Sequence, residues 1–372
     1  MLPSHSFPAG CPPDATGEST RENPPINASR KEQDPRLEEL REWLGRLDGF
    51  AGAEINPASA DASFRRYFRV RAAGVSRIVM DAPPALEDSR PFVRISGYLE
   101  QIGLNSPRIL QADLGKGFLL LTDLGSAQYL EQLRARPELA DSLYADALAA
   151  LAELQDKGRP FQSELPPYDS KLLRFELSLF RDWLCGRHLG LEFAASDEAD
   201  WQSSVELLVD NALQQPRVFV HRDYHSRNLM VTSENNPGIL DFQDAVEGPM
   251  TYDLVSLLKD CYIRWPVDKV RRWAMDFHAV STEKSPVAGT ADDFMRSFEL
   301  TGVQRHLKAA GIFARLYIRD GKQGYLKDIP RTLGYISELG PRYPELEFLA
   351  RLIDERCLPL LRRELHGEVT SG

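Results

Sequence analysis

VHRDYHSRNLMV (220–231), a turn SENNPG (233–238) and ILDFQDAVEGPMTYDLV (239–255) decide how this chain is read. Transfer of a γ-phosphoryl group asks little covalent chemistry of a protein; it needs a carboxylate to orient the attacking hydroxyl and oxygen ligands to hold Mg²⁺ on the phosphates. Asp223, Asn228 and Asp241 supply those three groups in that order. Asn228 and Asp241 lie thirteen residues apart, and the apolar runs LMV and GILDF flank a turn containing Asn236, Pro237 and Gly238, which predicts a β-hairpin. A hairpin returns its ends to one place, so an amide oxygen and a carboxylate distant in sequence can grip one hard cation. Asp223, five residues before Asn228, then sits beside the metal.

At 372 residues the chain exceeds the usual single-domain size, which predicts two lobes with a cleft between them. Its 42% hydrophobic and 27% charged residues are ordinary for a soluble protein, and no apolar run approaches the length that spans a bilayer. A formal charge of −10 repels nucleic-acid phosphates, so neither nucleic acid nor membrane is an expected partner, and no obligate protein partner is evident. The four cysteines, Cys11, Cys185, Cys261 and Cys357, lack metal-ligand spacing and read as reduced thiols of a cytoplasmic protein.

Residues 1–33 are rich in Pro, Ser, Gly and Asn, contain Pro12-Pro13 and Pro24-Pro25, and are expected to be a disordered extension without the features of a secretory signal. The small lobe is assigned to 34–124. LEELREWLGRL puts Leu37, Leu40, Trp43, Leu44 and Leu47 on one helical face; FRRYFRV, RIVMD, PRILQAD and GFLLLTD read as strands, and DSRPFVRISGYLEQIG as a helix ending near Gly103. From 125 to 372 the pattern is mostly helical, with breaks at Pro266, near Pro286 and at Pro330. The periodic SKLLRFELSLFRDWL is assigned to packing.

H-x-D-x-H-x-x-N (His221, Asp223, His225, Asn228), followed by D-x-x-D and Y-D-L, resembles the aminoglycoside and choline kinase branch of the protein-kinase-like fold. The resemblance extends through DASFRRYFRV, VMDAPP, RPFV, GFLLLTDLG and HLKAAGIFARLYIRDGK, over roughly residues 36 to 363, to the N-acetylmuramate/N-acetylglucosamine kinases, bacterial anomeric sugar kinases. It implies an α+β, bilobal protein-kinase-like fold with a small antiparallel-sheet N-lobe and a mostly helical C-lobe. It also implies ATP as phosphoryl donor, Mg²⁺ as cofactor and a small-molecule sugar as acceptor, phosphorylated at C1 in cell-wall sugar recycling. An aminoglycoside- or choline-type alcohol kinase, or a pseudokinase that binds nucleotide without turnover, are the alternatives.

On that resemblance Asp223 is the catalytic base, His225 lies near the transferred phosphoryl group, and Asn228 and Asp241 bind Mg²⁺. His221 orients the loop from the core. Asp253 braces it from below and suits a helix N-cap. Thr122 to Leu124 present backbone groups to the adenine edge. The chain departs from the protein kinases in lacking a G-x-G-x-x-G loop and in carrying VMD where the strand lysine belongs. Ser63 and Phe64 at a strand-turn-strand tip, with Arg65, Arg66 or Arg69, are therefore expected on the phosphates; the bland reading leaves these arginines as solvated strand residues. Arg227, Asp260 and Arg315 are candidate sugar readers, with surface charge as the alternative. Asp244 reads equally as a carboxylate behind the metal ligands, a weaker ligand or a solvated turn residue. Asp241 and Met250 are too close for a long activation segment, so Arg222 is not expected to meet a phosphorylated loop.

Overall fold

FLLLT (Phe118–Thr122) carries four consecutive buried residues, the mark of a strand covered on both faces. It is β5 of a fully antiparallel sheet with β1 (Glu54–Ala60), β2 (Arg66–Ala72), β3 (Val75–Asp81) and β4 (Ile109–Asp113), ordered β1-β2-β3-β5-β4. The computed structural model describes residues 34–60, 64–284 and 290–365. The expected N-terminal extension, Ser63 and the break near Pro286 lie outside the described residues. Strand β1 has no counterpart among the strands predicted from sequence: EINPASA holds a proline, and its register shifts between Pro57 and Ser59, features tolerated because β1 is an edge strand.

One face of the sheet is closed by helix α1 (Pro35–Gly45). Asp34 caps it, accepting from the backbone N–H groups of Arg36 (3.1 Å) and Leu37 (3.2 Å). Leu40, Trp43 and Leu44 then pack on Phe68, Val70, Val79, Phe118 and Leu120. Asp81, fully buried at the end of β3, accepts from Arg36 Nε (3.1 Å) and from Arg66 Nε (3.0 Å), which staples α1 to the sheet. Opposite, Met80, Leu119 and Leu121 meet Phe92, Ile95 and Leu99 of α2 (Arg90–Ile102), and the same cluster continues into the second lobe through Tyr129, Leu229, Ile239 and Phe242. The Phe92 and Phe242 rings are 4.7 Å apart. Gly117 turns β4 into β5 at φ +75°, where a Cβ would collide with the Ala82 carbonyl oxygen.

The larger lobe is helical: α3 (Tyr129–Ala135), α4 (Ala140–Lys157), the single turn α5 (Arg159–Gln162), α6 (Ser170–Leu179) continuing as a π-helix over Phe180–His188, and α7 (Ala195–Gln214). After the loop and hairpin segment come α8 (Tyr252–Leu258), α9 (Val267–Lys284), α10 (Ala291–Asp320) and α11 (Ile329–Ser337). Pro330 occupies the first turn of α11, so it starts a helix as well as ending what precedes it. Among the described residues no helix is long and apolar enough to cross a membrane. The hairpin falls where the spacing predicted, between β7 (Leu229–Met230) and β8 (Gly238–Ile239), flanked by the pair β6 (Arg217–Val220) and β9 (Val246–Pro249).

Helix α6 buries Leu173 and Leu177 as its periodicity predicts, but also Glu176, only 2% exposed. Its carboxylate pairs with Lys308 Nζ of α10 (3.0 Å) and with Arg222 Nη2 of the loop after β6 (2.5 Å), and accepts from Tyr168 Oη. Three elements thus meet on one buried charge. Glu176→Ala leaves buried Lys308 and partly buried Arg222 without their carboxylate and should cost about 3–5 kcal/mol; in urea denaturation the loss should shrink when Arg222→Met is added, because the two substitutions share one interaction. Helices α6 and α10 touch at Gly311, where a Cβ would lie 2.3 Å from the Leu179 carbonyl carbon. Gly311→Ala should therefore destabilise by about 3 kcal/mol, read as a lower denaturation midpoint.

Candidate functional site

The loop between β6 and β7 is shaped from beneath by Asp253. Its fully buried carboxylate accepts from the backbone N–H groups of His221 (2.6 Å) and Arg222 (2.9 Å). Asp253 is not the helix cap expected from sequence: α8 begins at Tyr252 behind Thr251, so Asp253 lies within the first turn and its oxygens are turned to the loop. Burial lifts its carboxyl pKa to about 7, against the two amides that favour the ionised form. The bend leaves Arg222 at φ +78°, a conformation held by these contacts.

His221 Nε2 faces the Leu240 carbonyl at 3.0 Å, and its Nδ1 accepts from the Asp223 N–H at 3.2 Å. Since a carbonyl only accepts, the ring proton resides on Nε2. Burial lowers the ring pKa to about 4, so His221 is a neutral spacer joining the loop to the segment after β8 that bears Asp241. Asp260, proposed from sequence as a sugar reader, is fully buried and outside the cleft lining. Its carboxylate accepts from Ser226 N (3.0 Å), Ser226 Oγ (2.5 Å) and Tyr262 N (2.8 Å), which makes it a second brace of the loop.

On this frame the loop and hairpin bring Asp223, His225, Asn228 and Asp241 to the floor of a cleft of about 870 Å³ between the lobes, within the roughly 300–1,000 Å³ typical of small-molecule sites. Asn228 Nδ2 donates to the Asp223 carbonyl (3.0 Å) and to Asp241 Oδ2 (3.2 Å), which fixes the amide and leaves its Oδ1 as an acceptor. Asp241, at φ +63°, also accepts from Gln243 Nε2 (2.8 Å). Burial would raise the Asp223 pKa, but the field of Lys308, together with Arg222 and Arg305, outweighs it and holds the carboxyl below its ordinary value. Asp223 is therefore ionised. Burial lowers the pKa of His225, whose Nδ1 is a buried nitrogen without a partner among the described residues.

The sheet side of the cleft carries Arg65, whose Nη2 pairs with Glu87 at 3.2 Å just ahead of α2. Burial works against its charge, and Tyr67 with the carboxylates of Glu87, Asp244 and Asp241 more than offsets this. Arg66 does not line the cleft, being held by Asp81 and Asp34. Phe64 is 63% exposed, is not part of the lining, and donates its N–H to Glu87 (3.0 Å). Asp244 is an exposed residue of the lining.

Where the lobes join, Thr122 and Leu124 line the cleft with an apolar strip of Ile78, Leu121, Met230 and Leu240. Asp123 between them accepts from Arg69 Nε (2.7 Å), Ser76 Oγ (2.5 Å) and Gly125 N (2.9 Å), and Arg69 also reaches the Gly125 carbonyl (2.8 Å). Arg227 lies over the Tyr262 ring (4.7 Å), and Arg315 also lines the cleft.

The sequence reading missed Glu176, Asp123 and Glu87. The signals were present for two of them: a single carboxylate inside the apolar stripe LLRFELSLF, and an acid at the end of the strand FLLLT. Glu87, in the loop ahead of α2, had none.

The model described as the phosphotransferase enzyme family matches residues 54–287. An N-acetylmuramate/N-acetylglucosamine kinase of Pseudomonas putida is 47% identical over 335 residues, 87% of this chain and 97% of that protein. One of Pseudomonas aeruginosa is 50% identical over 302 residues, 81% and 88% of the two chains, and one of Neisseria meningitidis 42% over 323, 85% and 94%. Among solved structures, Plasmodium vivax ethanolamine kinase superposes with a TM-score of 0.59 at 12% identity over 83% of this chain and 90% of that one. Choline kinase from Streptococcus pneumoniae gives 0.56 at 10% identity over 82% and 100%. These two likenesses concern the fold, which is protein-kinase-like. The family match spans well over half of the sequence and includes the loop, the hairpin and both of their braces, and with it the chain belongs to the phosphotransferase enzyme family.

Proposed function

We propose that this protein is an ATP-dependent kinase that phosphorylates the anomeric hydroxyl of N-acetylmuramate and N-acetylglucosamine, giving sugar 1-phosphates in bacterial cell-wall recycling. The observation that carries the reading is the convergence of ionised Asp223, Asn228 and Asp241 on one cleft floor, joined to the names borne by relatives at 42–50% identity.

Asp223 orients the C1 hydroxyl and accepts its proton as the new C1–O–P bond forms and the bond between the β- and γ-phosphates breaks. An anomeric hydroxyl is more acidic than an ordinary sugar alcohol, which suits a carboxylate whose own pKa is held low. Asn228 Oδ1 and the Asp241 carboxylate are hard oxygen donors side by side, a donor set that fits Mg²⁺ completed by phosphate oxygens and water. Bound there, Mg²⁺ would neutralise charge on the phosphates. Arg65, set by Glu87, takes the place of the absent strand lysine. Thr122 to Leu124 face the adenine above the apolar strip. His225 stands near the transferred group, and Arg227 and Arg315 face the sugar.

An acceptor screen with Mg·ATP, followed by NMR identification of the phosphorylated carbon, tests the reading. Both N-acetyl sugars should yield C1 phosphates and their methyl glycosides none; phosphorylation of a methyl glycoside, or of kanamycin in preference to either sugar, overturns it. Asp223→Asn should lower kcat by orders of magnitude with nucleotide affinity nearly unchanged, whereas Asp241→Ala should also weaken Mg·nucleotide binding, a split readable by calorimetric titration alongside kinetics.

A further inference from the structure

Three cations lie beside Asp223, Lys308 and Arg305 buried and Arg222 partly buried, and they differ in how they are satisfied. Arg222 and Lys308 both pair with Glu176. Arg305, only 6% exposed on α10, has no carboxylate bond among the described residues: Nη1 makes a 3.7 Å contact with Cys261 Sγ, and Nε is buried without a partner. Such a guanidinium holds five donors in a planar fork, and leaving it desolvated without an anion is costly. Its side chain lines the cleft, and ten residues further along the same helix, about 15 Å by the α-helical rise, Arg315 also lines it with its Nε buried and unpartnered.

The two lobes separate this charge from Arg65. Arg65 enters the cleft from the sheet, paired with Glu87 and in the field of Asp241 and Asp244, whereas Arg305 enters it from α10 of the helical lobe, against Cys261 and in the field of Asp223. An anion that meets Arg305 therefore belongs to the acceptor. N-Acetylmuramate carries a lactyl carboxylate on O3, two ring carbons from the reacting C1, and N-acetylglucosamine has a plain hydroxyl there. We infer that Arg305 is a specificity-determining residue whose guanidinium pairs with the acceptor's carboxylate, so that the cleft contains a carboxylate subsite within the acceptor site. Planar fork-to-carboxylate pairing is what arginine offers over lysine. The inference rests on the sugar-kinase reading above.

The test compares kcat/KM for the two sugars in wild type, Arg305→Met and Arg305→Lys, with folding checked by circular dichroism, and adds the lactyl methyl ester of N-acetylmuramate as a neutral acceptor for wild type. Arg305→Met should lower kcat/KM for N-acetylmuramate at least tenfold more than for N-acetylglucosamine, chiefly through KM. Arg305→Lys should recover part of the difference, and wild type should discriminate against the ester by a similar factor. Equal losses on both sugars in folded variants, or an ester as good as the acid, overturn the subsite while leaving the sugar-kinase reading intact. Should Arg305→Met fail to fold, Arg305→Lys and the ester decide the matter. Wild type that phosphorylates neither sugar overturns both.

Discussion

A buried carboxylate that grips two backbone amides is the constraint on which the site depends. Asp253 receives the N–H groups of His221 and Arg222 where the chain leaves β6, and this forces the turn that throws Asp223 forward into the cleft. Everything downstream is placed relative to that turn. Asn228 is anchored to the Asp223 carbonyl, Asp241 to Asn228, and the neutral His221 ring spans the loop and the Leu240 carbonyl. A backbone held in this way needs no substrate to organise it, which is the sense in which the electrostatics of the site are set before the reaction.

The charges around the loop follow one logic. Arg222, which the short stretch from Asp241 to Met250 leaves without a phosphorylated segment to meet, finds a fixed carboxylate in Glu176. Lys308 shares that carboxylate and keeps Asp223 ionised from behind. In the smaller lobe Arg65, paired with Glu87, brings a cation to the sheet side of the cleft, while β3 ends in Asp81 and not in a lysine. Position, rather than the familiar residue in the familiar strand, is what the chemistry requires.

Much of this was legible in the sequence because motif spacing and hydrophobic period are local quantities. The hairpin, α1, α2, four of the five sheet strands and the cluster of Asp223, Asn228 and Asp241 follow from them. What escaped depends on the tertiary fold. Strand β1 owes its pairing to β2 and not to its own weak propensity, Arg66 is drawn away by a buried Asp81, and Asp260 spends its oxygens beneath the loop. The assignment of α6 to packing was right for its leucines and missed Glu176, since periodicity counts apolar residues and cannot see that a buried acid has two cations waiting.

The contact of Phe92 with Phe242 sets a limit on how such a protein can be controlled. Helix α2 and the residue after Asp241 belong to a hydrophobic cluster that runs without interruption from the sheet into the helical lobe. Swinging α2 outward, or turning Phe242 over, opens that cluster and exposes its apolar area to water, at a cost comparable to local unfolding. An off state reached by displacing this helix is thereby tied to the stability of the whole molecule. Turnover is left to follow the supply of phosphoryl donor and acceptor.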